Sequence, residues 1–271
     1  QEEKFQIAKK FLLKKQLDAH GLKNSHVDIT DGALRHVISR YTREAGVRSL
    51  ERKIAQIYRK IAKMVAEGKK KKNVIKPTGV AKFLGIERVS ASIIEKKDEV
   101  GMSTGLAWTE AGGDILFIEV ALMAGKGNLT LTGQLGDVMK ESCQAAVSYI
   151  RSRAKTFGLP ENFYQKLDVH VHVPEGAVPK DGPSAGGAIT TAIVSALTKI
   201  PVSHIVGMTG EVTLRGRILE IGGVKEKLIA AHRAGLKTII LPKENRKDLE
   251  DVPKQVMKDL RFVFVSHMDE V

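Results

Sequence analysis

Cysteine is nearly absent from this sequence. Cys143 is the only one in 271 residues, so no internal disulfide can form and a disulfide-stapled scaffold is excluded. That scarcity fits a reducing compartment. Long apolar runs are missing as well: none approaches the ~20 residues a helix needs to span a bilayer. No secretory signal opens the chain, so a membrane is not expected as a partner. Aromatic residues make up 5% of the sequence, and residues 1–90 hold only Phe5, Phe11, Tyr41, Tyr58 and Phe83. Stacking platforms for single-stranded bases are therefore not suggested. The pattern Gly-x-x-x-x-Gly-Lys-Ser/Thr occurs nowhere, which removes the phosphate-cradling loop that a nucleotide-hydrolysing reading would need. No cluster with metal-ligand spacing stands out, and no metal is expected. The first residue is Gln1 rather than Met, which reads as a processed form or an excised piece.

What is present argues for an ordinary globular chain. Hydrophobic residues reach 42% and charged ones 28%, enough apolar surface to exclude disorder as the main state. The net charge of +13 is unevenly spread. Residues 1–90 carry 22 Lys+Arg against 9 Asp+Glu, while the remaining residues carry 22 of each. The whole imbalance sits in the first third, which predicts two units with different surfaces.

The first third predicts helices. Residues 2–20 are rich in Lys, Gln, Leu and Ala without Pro or Gly, and Gly21 supplies a stop. Asp31 is a candidate cap for a second helix through Tyr41, carrying Leu34, Val37 and Ile38. A third runs from about Val47 to Ala66, with Leu50, Ile54, Ile57, Ile61 and Val65 on one face. Arg52, Arg59, Lys60 and Lys63 fill much of the other. Gly68 and Lys69–Lys72 open a linker over about 70–95, with a short helix from about Val80 to Gly85. Beyond residue 95 strands are expected at 114–123, 128–132, 167–173 and 238–242, with helices near 135–157, 184–199, 224–234 and 254–260. The expected fold is thus an α/β (α+β) domain with a mixed sheet and flanking helices, residues 91–271, preceded by a small all-α basic domain, residues 1–90.

The segment Pro174–Ala188 carries the strongest chemical signal. It joins the alternating strand around His170 and His172 to an apolar helix. A lone serine at a helix start is ordinarily a cap. Ser184, however, is flanked by Gly182, Pro183, Ala185, Gly186 and Gly187. Small neighbours admit a substrate backbone, and a helix start offers N–H groups to a developing oxyanion. Such a serine needs a proton acceptor. His170 and His172 lie on one short strand, where a structural role is the simpler reading. The other source is Gly222-Gly223-Val224-Lys225-Glu226-Lys227, where a lysine pressed on apolar surface loses its proton more readily. Periodicity leaves Lys225 and Lys227 equivalent, and two surface lysines are the bland alternative.

Pro179-Lys180-Asp181-Gly182-Pro183-Ser184-Ala185-Gly186, Met208-Thr209-Gly210-Glu211 and Gly222–Lys227 together closely resemble the proteolytic domain of Lon ATP-dependent proteases. Val100–Thr109 resembles the start of that domain, and Tyr41–Arg48 resembles the helical subdomain of the family's AAA+ ATPase module. The resemblance spans nearly the whole chain. It implies a serine endopeptidase with Ser184 as nucleophile and Lys227 as its base. It further implies Thr209 as an orienting hydroxyl and Asp181 as the acidic residue of a loop that blocks or opens the site. Arg48 matches a nucleotide-sensing arginine that acts only in a complete protein. ATP and Mg2+ are implied for the full-length protein, with no cofactor in this fragment. The implied partners are unfolded polypeptide substrates, other copies in a hexameric ring and duplex DNA along the basic third. A solvated face is the plain alternative for that charge. The implied setting is the bacterial cytoplasm, the mitochondrial matrix being equally reducing. The rival reading is a nucleic-acid-binding module on a non-catalytic α/β scaffold, which leaves a serine among glycines without a use.

Overall fold

The computed structural model describes residues 2–69, 71–87, 94–109, 112–174 and 179–271. The chain divides into two compact units, Gln1–Ala91 and Ser92–Val271, each with its own hydrophobic core. The expected boundary at 90/91, residues 70 and 88–93 of the expected linker and residues 175–178 of the serine segment lie outside the described residues, whereas residues 71–87 of that linker belong to the first unit. Among the described residues no helix is long and apolar enough to cross a membrane.

The first unit opens with one helical run: α1 (Glu2–Ile7), a π-helical stretch at Ala8–Leu12, and α2 (Leu13–Ala19). Then follow β1 (Val27–Ile29), α3 (Asp31–Tyr41), α4 (Arg48–Ala66), β2 (Asn73–Ile75) and α5 (Val80–Leu84). The residue that caps α3 is Thr30, not Asp31. Its hydroxyl accepts from Ala33 N–H at 3.2 Å, which leaves Asp31 in the first turn as a favourable charge. A second finding is the parallel pair β1–β2. Three residues each were too short to announce themselves beside a lysine run. Leu50, Ile54, Ile57, Tyr58 and Ile61 of α4 are buried, and Arg52, Arg59, Lys60 and Lys63 on the same helix are exposed.

The second unit is built on a seven-stranded sheet. Its strands are β3 (Met102–Thr109), β4 (Gly112–Ala124), β5 (Leu129–Thr132), β6 (Leu167–His172), β7 (Val206–Met208), β10 (Thr238–Pro242) and β11 (Arg261–Val265), in spatial order β11-β10-β7-β3-β4-β6-β5. A small hairpin, β8 (Glu211–Val212) with β9 (Ile218–Leu219), stands apart. The sheet is mixed: β4 runs antiparallel to both neighbours, and the other ladders are parallel. The helices are α6 (Asp137–Ser152), α7 (Gly186–Thr198), α8 (Val224–Ala234) and α9 (Lys254–Asp259).

Both sheet faces are covered, and β4 shows how. Leu116, Ile118 and Val120 pack into the cluster with Met139 and Ile150 of α6 and Ile189 and Ile193 of α7. The intervening Ile115 and Phe117 join Leu228 and Ala231 of α8 and Val256 of α9 on the other side. Alternation of period two therefore splits one strand between two cores. It also reads as a nearly unbroken apolar run, the expected signature of a strand buried on both faces.

Candidate active site

Ser184, Thr209 and Lys227 come from three elements that meet beside the end of β7, an inner strand of the sheet. Ser184 lies in a 3-10 turn, Pro183–Ala185, that feeds directly into α7. Gly182, before the turn, has φ 113°, a backbone state that a side chain rarely adopts. Thr209 directly follows β7, where its N–H donates to Ile240 O on β10 at 3.2 Å. Lys227 sits in the first turn of α8, after Gly223 at φ 69°.

Hydrogen bonds knit the three together. Lys227 Nζ donates to Thr209 Oγ1 at 3.2 Å, and Thr209 Oγ1 donates to the carbonyl oxygen of Ser184 at 3.1 Å. The same carbonyl accepts from Gly210 N–H at 2.8 Å, and Gly187 N–H donates back to Gly210 O at 3.0 Å. The serine turn is thereby clamped to the end of β7. Lys227 and Thr209 are each 3% exposed, while Ser184 is half-buried and Lys225 is exposed. Burial thus separates the two lysines that periodicity left equivalent. It also pushes the Lys227 amine down from its ordinary value to about 8, because the charged form loses hydration there.

Asp181 is exposed and points at another element. Its Oδ1 accepts from Met139 N–H in the first turn of α6 at 2.9 Å and from Gly182 N–H at 2.8 Å. It acts as a helix cap supplied from a distant segment, since Gly136 at the cap position has no side chain. A Cβ at Gly136 would lie 2.2 Å from the Asp181 carboxyl carbon, so that glycine gives the carboxylate its room. His170 and His172 on β6 both bond to Thr132 Oγ1 on β5, at 2.8 and 2.7 Å. Arg48, the first residue of α4, is exposed in the first unit.

Two further features carry no legible sign in the sequence. Gly113 on β4 lies so close to α8 that a Cβ there would stand 2.0 Å from the carbonyl oxygen of Glu226. Lys180 is only 7% exposed, although lysine is among the residues least often buried.

A Ser hydroxyl, a neutralisable amine and a bridging hydroxyl form the parts of a nucleophile–base pair. Comparison with known proteins gives the same direction. The profile of the Lon protease (S16) C-terminal proteolytic domain matches residues 74–271, and that of the Lon protease AAA+ ATPase lid domain matches residues 18–74. The Lon protease of Dictyoglomus thermophilum is 56% identical over 270 residues, covering 99% of this chain and 34% of that protein. Those of Brevibacillus choshinensis and Bacillus thuringiensis are 57% and 58% identical over 269 residues, again covering 99% of this chain and 34% of each relative. The chain thus spans about a third of the length of the curated relatives it matches. With both profiles matched in order along one chain, and that identity sustained from end to end, the chain belongs to the Lon protease family.

Proposed function

We propose that this chain cleaves peptide bonds in unfolded polypeptides with Ser184 as nucleophile and Lys227 as general base, as the proteolytic part of an ATP-dependent enzyme. The observation that carries the reading is the buried Lys227 amine, held on Thr209 while Thr209 holds the Ser184 main chain. The neutral amine takes the Ser184 hydroxyl proton as Oγ attacks the substrate carbonyl carbon. Negative charge on the carbonyl oxygen is met by backbone N–H groups at the start of α7. The resulting Lys227 ammonium returns its proton to the departing amine, and water then hydrolyses the acyl-enzyme by the same route reversed. Thr209 fixes the direction of the amine. Asp181 holds the loop before the nucleophile against α6, the residue whose movement would block or open the site.

The match to an ATPase lid supports an ATP-dependent whole protein. In that reading ATP and Mg2+ are held by other parts of the whole protein, with Arg48 as the residue here that would contact a phosphate. Bound there, ATP supplies the energy for unfolding and delivery of substrate. A hexameric ring in the bacterial cytoplasm is the assembly and setting that family membership favours. Duplex DNA as a further partner is favoured by the exposed Arg52, Arg59, Lys60 and Lys63 on one helix.

Replacing the reacting groups tests the chemistry. Ser184→Ala and Lys227→Ala should each lower cleavage of an unstructured peptide by roughly a thousandfold or more, with the fold retained by circular dichroism. Lys225→Ala should stay within about threefold of the parent, because that side chain is solvated. Unchanged turnover by Ser184→Ala ends the reading, and a dead Lys225→Ala beside an active Lys227→Ala moves the base to the other lysine.

A further inference from the structure

A buried lysine sits four residues before Ser184, and the chemistry described above does not use it. The Lys180 ammonium donates to the carbonyl oxygen of Gly133 at 3.1 Å. Its main chain joins the same turn: Lys180 N–H donates to Gln134 O at 3.1 Å, and Gly136 N–H donates to Lys180 O at 2.7 Å. Side chain and both backbone groups of one residue are thus zipped to residues 133–136.

That turn is a stiff support. Gly133 has φ 112° and Gln134 has φ 55°, and a Cβ at Gly133 would lie 2.1 Å from Val173 O. The turn is therefore pressed against the chain leaving β6 and has little room to shift. At its far end it leads into α6, whose first turn receives the Asp181 carboxylate.

The nature of the side chain is informative. A leucine or methionine would fill the same volume without the cost of removing an ammonium from water. A lysine there is useful for its direction, because it can bind a carbonyl oxygen that an apolar side chain cannot. From Lys180 the chain runs through Asp181, Gly182 and Pro183 to Ser184, whose carbonyl is fixed by Thr209 and Gly210. The nucleophile hangs between this upstream anchorage, which Lys180 shares with the Asp181 carboxylate on α6, and the clamp at Thr209 and Gly210. That clamp also holds Lys227, so the upstream side is the one that can be loosened while the base keeps its surroundings.

We propose that Lys180 is a positioning residue for the nucleophile: its buried ammonium locks the loop 180–184 to the turn 133–136 and so keeps Ser184 within reach of Lys227. This rests on the Ser184–Lys227 reading and adds to it a third lysine that touches neither substrate nor reacting atoms.

The test compares Lys180→Met, which keeps the stem and removes the charge, with Lys180→Arg, which keeps the charge. In the 271-residue chain we would measure cleavage of a short unstructured peptide, labelling of Ser184 by a fluorophosphonate, the pH–rate profile and thermal unfolding. A displaced nucleophile costs rate rather than affinity, so Lys180→Met should lose about ten- to a hundredfold in kcat and in labelling rate, with KM within about twofold. The pH–rate limb should not move, since the surroundings of Lys227 are untouched, and Lys180→Arg should recover most of the loss. A Lys180→Met chain within about twofold of the parent kcat overturns the proposal. So does a displaced pH–rate limb, or unfolding of both variants more than about 10 °C below the parent, which would make Lys180 a support of the fold alone. Failure of the underlying reading looks different: Ser184→Ala would keep its turnover, or the parent chain would take no label at Ser184.

Discussion

Among single residues, Lys227 carries the sharpest consequences. Burial lowers its amine to about 8, and a general base must be unprotonated to act. Peptide cleavage should therefore be weak near pH 6.5, reach half its limit near pH 8 and level off about one unit above that. A profile flat across about pH 6.5–9 would remove the neutral-amine role. The same shift has a stability side with a definite sign. The folded pKa lies below the unfolded one, so the unfolded chain binds more protons between about 8 and 10.5, and this group's contribution to stability rises with pH across that window. Below it the folded state bears the full cost of a buried ammonium, about 3 kcal/mol. Lys227→Met should accordingly unfold at higher denaturant than the parent at pH 7, by up to that amount, with the advantage shrinking toward pH 10.5. A Met variant less stable than the parent at pH 7 would mean that the bond to Thr209 outweighs the desolvation. None of this could be read from spacing. Lys225 and Lys227 both have apolar neighbours in sequence, and only the packing of α8 on the sheet buries one of them and leaves the other in solvent.

The elements hold that site through close backbone approach. Gly113 is the second residue of β4, and the position of its missing Cβ is 2.0 Å from the carbonyl oxygen of Glu226 and 3.0 Å from Ala230 Cβ. Strand and helix can meet there only without a side chain. Gly113→Ala should push α8 away from β4, costing about 1–3 kcal/mol as overpacking and moving Lys227 relative to Thr209. Peptide cleavage should fall by about tenfold or more while chemical unfolding records the modest loss. Parent-like activity would show that the first turn of α8 does not depend on that contact. Long elements with strong periodicity were open to sequence reading: α4, α8 and β10 appear where apolar spacing and glycine stops predict them. Short strands were not. β7, β8 and β9 have two or three residues each, too few for any alternation, and they take their form from neighbours distant in sequence. β3 escaped for another reason: Ser103, Thr104 and Gly105 are all buried, so small residues stand where apolar ones would have marked a strand. The serine turn was legible through its crowd of glycines. Lys180 was not, because nothing local tells a buried lysine from a solvated one.

At the scale of the whole molecule the charge is the property left to explain. The +13 belongs to residues 1–90 and is what remains after their acidic side chains are counted, several of which are already paired: Asp31 with Lys9, Glu51 with Lys15 and Glu2 with Arg35. Arg52, Arg59 and Lys63 form a group of their own, Lys63 also reaching Glu67 at 3.9 Å. They recur on the exposed side of α4, opposite its buried Ile54, Ile57 and Ile61, at spacings that bring side chains onto one stripe. A duplex lying along such a stripe would meet several cations at once, and each neutralised phosphate releases condensed counterions. Binding should be weak and independent of sequence, with a slope of roughly −4 to −5 in log K against log salt for four to six contacts. The triple variant Arg52→Gln, Arg59→Gln, Lys63→Gln should lower the slope by about 2.7, while Ser184→Ala should leave it unchanged because its hydroxyl belongs to the neutral unit. Residues 92–271 alone should not bind, their acidic and basic side chains being nearly balanced. Titration at about 50 mM salt decides the matter. No binding there, or equal binding by residues 92–271, would make the stripe a solvated face that keeps α4 in water and its apolar side in the core.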